Sequence, residues 1–295
     1  MDRVLGDKKA IFIFIFPALV IFLGIIVLPI VFSGYYSFLK WGSVGKSTFI
    51  AMQNYIELLV NNGDGFRESV LNSVILALLS VFIQLPFALV IALILASGVK
   101  GEGFFRSVYF VPVIVSTVVI GQLWMKVYNP QYGLLNTFLR GIGLESWSGE
   151  WIGNPDTALM SAFIPLVWQY IGYHMLLMYA AIKSIPQDVI EAAKIDGASP
   201  FKVATSISIP LIKPIIEVCV VFAVTGSLKT FDLIYVLTGG GPMHATEVPS
   251  TLMFNTIFHR NMYGYGSAIA IFIIVECLLF TILIQRLFRV KNETY

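Results

Sequence analysis

The run AIFIFIFPALVIFLGIIVLPIVFS, residues 10–33, carries no charged side chain over 24 residues. Roughly 20 consecutive apolar residues suffice for an α-helix to cross the hydrocarbon core of a bilayer, so this stretch places the chain outside the water-soluble classes. It follows Arg3, Lys8 and Lys9, as the apolar part of a secretory signal would. Its apolar stretch is too long for that role and no small-x-small cleavage site follows, so it reads as a retained anchor helix.

Five further apolar runs, at about 71–96, 107–127, 157–182, 213–238 and 267–288, are each long enough to span. The composition agrees: 57% of residues are hydrophobic, 12% are charged and the mean hydropathy is +0.83. The expected fold is therefore an all-α membrane protein with six transmembrane helices. Residues 1–65 would form an N-terminal transmembrane helix and outer loop, and 66–290 a core of five transmembrane helices. Pro17, Pro29, Pro86, Pro112 and Pro165 fall in or near spans, where neighbouring helices re-satisfy the backbone groups that proline frees.

Cytoplasmic loops retain Lys and Arg during insertion. With the N-terminus inside, the inner segments hold 12 of the 19 basic residues (Arg3, Lys8, Lys9, Lys100, Arg106, Lys183, Lys194, Lys202, Lys213, Arg286, Arg289 and Lys291). The outer segments hold 6, namely Lys40, Lys46, Arg67, Lys126, Arg140 and Arg260, and Lys229 lies within a span. Both termini are therefore expected in the cytoplasm. The outer loops, about 34–70, 128–156 and 239–266, have Trp41, Trp124, Trp147 and Trp151 at or near the expected interface, where amphipathic rings settle.

The net charge of +2 carries no information on partners, and no nucleic acid is expected among them; the surrounding lipid is. Cys219 and Cys277 sit in apolar runs without a CxxC pattern and read as packing residues. His174, His244 and His259 are scattered and lack metal-ligand spacing, so no metal is expected.

The inner segment between the fourth and fifth spans, 184–212, has its own character. Pro186 opens a short helix that Asp188 and Glu191 favour electrostatically, Ala192, Ala193 and Ile195 continue it, and Gly197 permits a sharp turn. A second amphipathic helix begins near Ser199-Pro200 and ends at Pro210. Two helices joined at a glycine fit either a knob that another protein grips or an ordinary surface hairpin.

The spacing Glu191-Ala192-Ala193, three residues, Gly197, nine residues, Ile207-x-Ile209-Pro210 resembles the EAA loop of binding-protein-dependent ABC importer permeases, with Ile209 where leucine is usual. Ser184-Ile185-Pro186, Asp196-Gly197-Ala198, Phe231-Asp232 and Thr238-Gly-Gly-Gly-Pro242 resemble more narrowly the carbohydrate-uptake branch and, within it, the maltose-system F type of subunit. The similarity covers about 66–290. It implies the type I importer fold, with the EAA loop forming cytoplasmic coupling helices that dock on a separate ATPase. By resemblance, Glu191, Ala192, Ala193, Asp196, Gly197, Ile207 and Pro210 would make that coupling surface. A second permease subunit as heterodimer partner, two ATPase subunits and an extracytoplasmic sugar-binding protein are implied in a bacterial or archaeal cell membrane. No cofactor is expected on this chain, since ATP would be bound by the partner subunits.

The chain is not expected to be an enzyme. Gly45-Lys46-Ser47 lacks the first glycine of a phosphate-binding loop, Lys40 standing in that place, and it falls in an outer loop. Gly239-Gly240-Gly241-Pro242 has no lysine and reads as the terminator of the fifth span. No nucleophile–base pair is visible.

Polar residues inside spans are costly and are functional candidates by default. Lys229 and Asp232, three apart on one expected helical face, would pair with each other, meet a partner chain or contact substrate. Trp168, Gln169, Tyr170 and Tyr173 in the fourth span, with Ser227 and Thr230 in the fifth, supply groups that bind sugars or simply pack. Resemblance to the carbohydrate branch places a central cavity between these spans. It makes Gln169, Tyr170, Tyr173, Ser227, Thr230, Lys229 and Asp232 the candidate substrate pathway. Glu217 and Glu276 have no assigned role. An ion-coupled secondary carrier using Lys229, Asp232 and Glu276 is the competing reading, although no internal repeat stands out.

Overall fold

The computed structural model describes residues 8–43 and 45–288. Arg3, Arg289 and Lys291 of the basic-residue count lie outside the described residues. The backbone is helical almost throughout, in keeping with an all-α membrane protein. The long helices are α1 (Phe12–Tyr36), α2 (Gly63–Ala96), α3 (Glu102–Ile114), α4 (Thr117–Val127), α5 (Pro155–Lys183), α6 (Gln187–Ile195), α7 (Pro200–Leu211), α8 (Lys213–Leu228), α9 (Asp232–Leu237) and α10 (Tyr263–Phe288).

Three proline-bearing helices widen by one residue just ahead of the ring. The turns Leu23–Val27, Ser80–Gln84 and Ala204–Ser208 are π-helical, and each is followed, after one residue, by Pro29, Pro86 or Pro210. Proline lacks an N–H and its ring collides with the carbonyl four residues back. Five-residue hydrogen bonds, as from Leu85 N–H to the Ser80 carbonyl, open the turn and let the helix continue.

Two of the expected spans are broken. The third becomes α3 and α4, inclined at 97°, because Val115 and Ser116 are extended (ψ 138° and 132°). The β-branched run Val113-Ile114-Val115 and the Ser116-Thr117 pair weaken the helix at that point. The fifth becomes α8 and α9, separated at Lys229–Phe231, where Phe231 leaves helical geometry (φ −139°, ψ −65°). Lys229 and Asp232 therefore do not share one continuous helical face. Among the described residues no ion pair joins them, so of the roles their spacing left open, pairing with each other is not the one observed.

Helix length and apolarity do not by themselves establish the expected six spans. Among the described residues, three continuous helices, α1, α2 and α10, are long and apolar enough to cross a membrane, and up to five spans result if each bent pair, α3–α4 and α7–α8, counts as one. Helix α5 has 29 residues but falls short on apolarity, because Trp168, Gln169, Tyr170, Tyr173 and His174 interrupt it.

Two compact units emerge from the packing: residues through Asp64 with Met253–Ile274, and Gly65–Leu252 with the chain from Val275 on. In the first, α1 leads to a hairpin pairing Leu39 with Phe49 and Lys40 with Thr48. Asn54 Nδ2 secures the hairpin by donating to the carbonyls of Ser37 (2.7 Å) and Leu39 (3.0 Å). The side chains of α1 from Phe12 to Phe32 are almost all exposed, as an apolar helix facing lipid requires.

The second unit is built on a core where Leu85, Ala88, Ala92 and Leu95 of α2 meet Met175 and Met178 of α5 and Cys219 and Ala223 of α8. Ala88 and Ala92 are fully buried and allow close helix approach, the main source of packing energy between helices in lipid. Cys219 is a buried member of this core, so its role is packing. A second cluster joins Leu76, Ile120, Phe163 and Leu166 to Leu233, Ile234 and Leu237 of α9.

Candidate functional site: a cavity and an exposed helical loop

A cavity of about 500 Å³ lies in the second unit among α2, the α3–α4 bend, α5 and the α8–α9 break. Tyr170, Tyr173, Ser227, Lys229, Thr230 and Asp232 all line it. Lys229 and Thr230 at the helix break and Asp232 just beyond it all reach this wall.

Gln169 is placed differently. It is buried away from the cavity lining, and its Nε2 donates to Thr117 Oγ1 (3.0 Å) and to the Val115 carbonyl (3.4 Å) at the α3–α4 bend. Its Oε1 has no partner among the described residues. Ser227 is engaged as well: its hydroxyl donates to the Ala223 carbonyl (2.9 Å) and lies 3.1 Å from Ser80 Oγ.

Sequence reading missed several lining residues. Ser80 and Gln84 of α2, Thr117 at the bend, His174 of α5 and Phe222 of α8 all face the same space. The signal available for the first two was their polarity inside an apolar run. With the rings of Tyr170, Tyr173 and Phe222, these hydroxyl and amide groups give a wall suited to a polar, hydrogen-bonding molecule, with Lys229 and Asp232 as its charged members. Glu276 is buried but is not part of the lining, and one of its carboxylate oxygens lacks a partner among the described residues. No cluster of three or more metal-ligand side chains occurs among the described residues.

The second feature is the loop that leaves α5 and enters α8, both of which line the cavity. Helix α6 starts after Pro186 and ends in a double hydrogen bond, Gly197 N–H to the Lys194 carbonyl (3.0 Å) and Ala198 N–H to the Ala193 carbonyl (2.9 Å). That is a Schellman ending, which needs the left-handed conformation that Gly197 adopts at φ +78°. Ser199 then caps α7 by accepting from Lys202 N–H (3.3 Å).

None of the residues of α6 is buried. Glu191, Ala192, Asp196 and Gly197 are exposed, Ala193 and Ile207 are half-buried, and Pro210 is exposed. Gln187 Nε2 donates to the Glu191 carboxylate at 3.1 Å. Ile195 and Phe201 are the unforeseen members, 86% and 79% exposed on either side of Gly197.

At the C-terminal end of α5, the Tyr179 hydroxyl donates to Glu102, and Lys183 Nζ lies 3.3 Å from the same carboxylate. Glu102 lies ahead of the predicted third span.

Comparison with known proteins places this geometry in context. The chain is 36% identical to the probable ABC transporter permease protein YurN of Bacillus subtilis, over 97% of this chain and 98% of that protein. It is 35% identical to the trehalose/maltose transport system permease protein MalF of Thermococcus litoralis, over 97% of this chain and 96% of that protein. Its fold matches a chain of the crystal structure of a bacterial ABC transporter involved in the import of the acidic polysaccharide alginate, with a TM-score of 0.84 at 23% identity, covering 99% of this chain and all of that one. These relatives are transport subunits rather than enzymes, and the signature of their family spans residues 66–291 here. The chain is a multi-pass membrane permease and belongs to the family of binding-protein-dependent transport system inner membrane components.

Proposed function

We propose that this permease passes a sugar or oligosaccharide, handed over by an extracytoplasmic binding protein, through the cavity between α5 and α8, driven by ATP hydrolysis on a separate subunit. The observation that carries the reading is connectivity: one exposed helical loop, 184–212, joins the two helices that wall the cavity. A partner that moves this loop acts on both walls at once. Supporting a sugar are the aromatic rings and hydroxyls of the lining, together with the names of relatives such as the trehalose/maltose permease. A second solved neighbour is an alginate transporter in complex with an alginate pentasaccharide-bound periplasmic protein, which supports a binding-protein partner.

In this reading six segments span, α5 included, and both termini face the cytoplasm. Helix α5 packs against α2, α3 and α8, so part of its surface faces protein rather than lipid and tolerates polar residues such as the buried Gln169 and His174. The substrate pathway is Tyr170, Tyr173, Ser227, Thr230, Lys229 and Asp232, with Gln169 behind it. Glu191, Ala192, Ala193, Asp196, Gly197, Ile207 and Pro210 form the coupling surface, with Ile195 and Phe201 as its apolar anchors. The assembly pairs this chain with a second permease as a heterodimer and with two ATPase subunits, which bind the ATP, so this chain carries no cofactor. The carrier reading that Lys229, Asp232 and Glu276 invited finds no supporting observation.

The test is purification of tagged protein from native membranes with an ATPase assay, comparing wild type with Gly197→Asp and Glu191→Lys. An ATPase recovered with wild type and lost or uncoupled in the variants is the expected result. An unchanged partner set in the variants overturns the assignment of the loop.

A further inference from the structure

Helix α3 is fastened to α5 at three levels. At the bend, Gln169 of α5 holds the Val115 carbonyl and the Thr117 hydroxyl. Midway, Gly172 lies directly on the backbone of α3: a Cβ added there would stand 2.0 Å from the Tyr109 carbonyl oxygen. At the inner end, Glu102 takes the Tyr179 hydroxyl and the Lys183 ammonium, and Arg106 and Lys183 lie 5.5 and 5.7 Å from the centre of the Tyr179 ring.

These contacts resist different motions. Close backbone approach at Gly172 opposes compression and leaves separation unopposed. The inner ends of α3 and α5 are kept together by the carboxylate, hydroxyl and cations at Glu102, Tyr179, Lys183 and Arg106. Lys183 ends α5, and the loop to α6 begins at the next residue. At the other end of the same pair, Val113 and Thr117 of the bend and Tyr170 and Tyr173 of α5 face the cavity.

We propose that Glu102 is a positioning residue for transport: by latching α3 to the last turn of α5 through Tyr179 and Lys183, it makes the two helices one lever that carries movement of the 184–212 loop to the cavity wall. This rests on the reading of that loop as the ATPase-docking segment. The Lys183–Glu102 pair is partly exposed, and such pairs contribute little to folding stability, so the latch acts on alignment; Tyr179→Phe keeps the buried ring in place and leaves the protein folded. Coupling between distant sites requires an element whose arrangement both ends bias, and the latched pair is such an element.

The experiment uses the complex purified from native membranes, with Cys219 and Cys277 replaced by alanine and spin labels at Gly103→Cys and Ser184→Cys. Both sites are exposed, and a side chain at Gly103 meets nothing within 4 Å. Pulsed EPR distances are recorded without nucleotide and with ATP plus vanadate. In the otherwise wild-type complex the distance is narrow and the same in both states. In Glu102→Gln, and separately in Tyr179→Phe, it broadens and shifts with nucleotide by about 2 Å, the scale of helix displacements in switching proteins, while the ATPase stays bound. If an ATPase co-purifies and the variants keep the wild-type distance, or the wild-type distance itself shifts with nucleotide, the latch is refuted alone. If no ATPase co-purifies with wild type, the docking reading falls and the latch with it.

Discussion

Gly172 of α5 is seated against the carbonyl of Tyr109 in α3 so closely that a Cβ on it would lie 2.0 Å from the oxygen and 2.7 Å from the carbonyl carbon. Neither atom can rotate away, because both belong to the backbone. Overpacking costs about 1–3 kcal/mol where side chains can adjust, so Gly172→Ala should reach or exceed the upper end. Thermal unfolding in detergent should show a lowered midpoint for Gly172→Ala and none for Gly103→Ala, whose added Cβ enters open space.

Gly197 presents the opposite case. Nothing within 4 Å opposes a side chain, and the constraint is the left-handed backbone at φ +78°. Gly197→Ala should destabilise the Schellman ending by about 1–2 kcal/mol, whereas Gly197→Asn, which tolerates this conformation, should cost less. Titration of the purified ATPase against the two variants should rank them wild type, Asn, Ala in affinity. Equal affinity for Ala and wild type would mean that the turn between α6 and α7 does not matter for docking.

Ser80 and Ser227 hold α2 to α8 across the cavity with hydroxyl oxygens 3.1 Å apart. Hydrogen bonds between membrane helices average about 0.6 kcal/mol by double-mutant cycles, and that is the coupling expected for Ser80→Ala combined with Ser227→Ala. Purely additive unfolding free energies would show that the two hydroxyls do not bond.

Lys229 and Asp232 flank the helix break without an ion pair. Lys229→Ala and Asp232→Ala should therefore act independently, adding to within about 0.5 kcal/mol in stability. In transport assays with the binding protein's own sugar, each should alter the KM separately. A coupling above 1.5 kcal/mol would restore direct pairing, one of the roles their spacing left open.

The membrane class, the position of the apolar runs and the loop at 184–212 were legible in the sequence, because each rests on local chemistry. Twenty apolar residues without charge have one comfortable solvent, and a Pro-helix-Gly-Ser-Pro succession has few alternative backbones. The breaks at Val115–Ser116 and Lys229–Phe231 were not legible. A β-branched or polar residue in a span lowers helix propensity by only tenths of a kcal/mol, and whether the helix breaks depends on what receives the freed carbonyls. At Val115 the receiver is Gln169, 54 positions along the chain.

The same contrast runs through the site. Tyr170, Tyr173, Ser227 and Thr230 were identifiable as polar and aromatic groups where lipid-facing residues belong. That Gln169 turns to the bend while Tyr170 and Tyr173 line the cavity was decided by how α3 packs on α5. The latch of Glu102, Tyr179 and Lys183 likewise joins residues 77 and 81 positions apart. Sequence by itself determined the solvent each segment prefers, since transfer free energy is a property of the segment. Tertiary structure decided which polar groups meet, since a hydrogen bond inside a membrane protein is satisfied only by whatever neighbour the packing supplies.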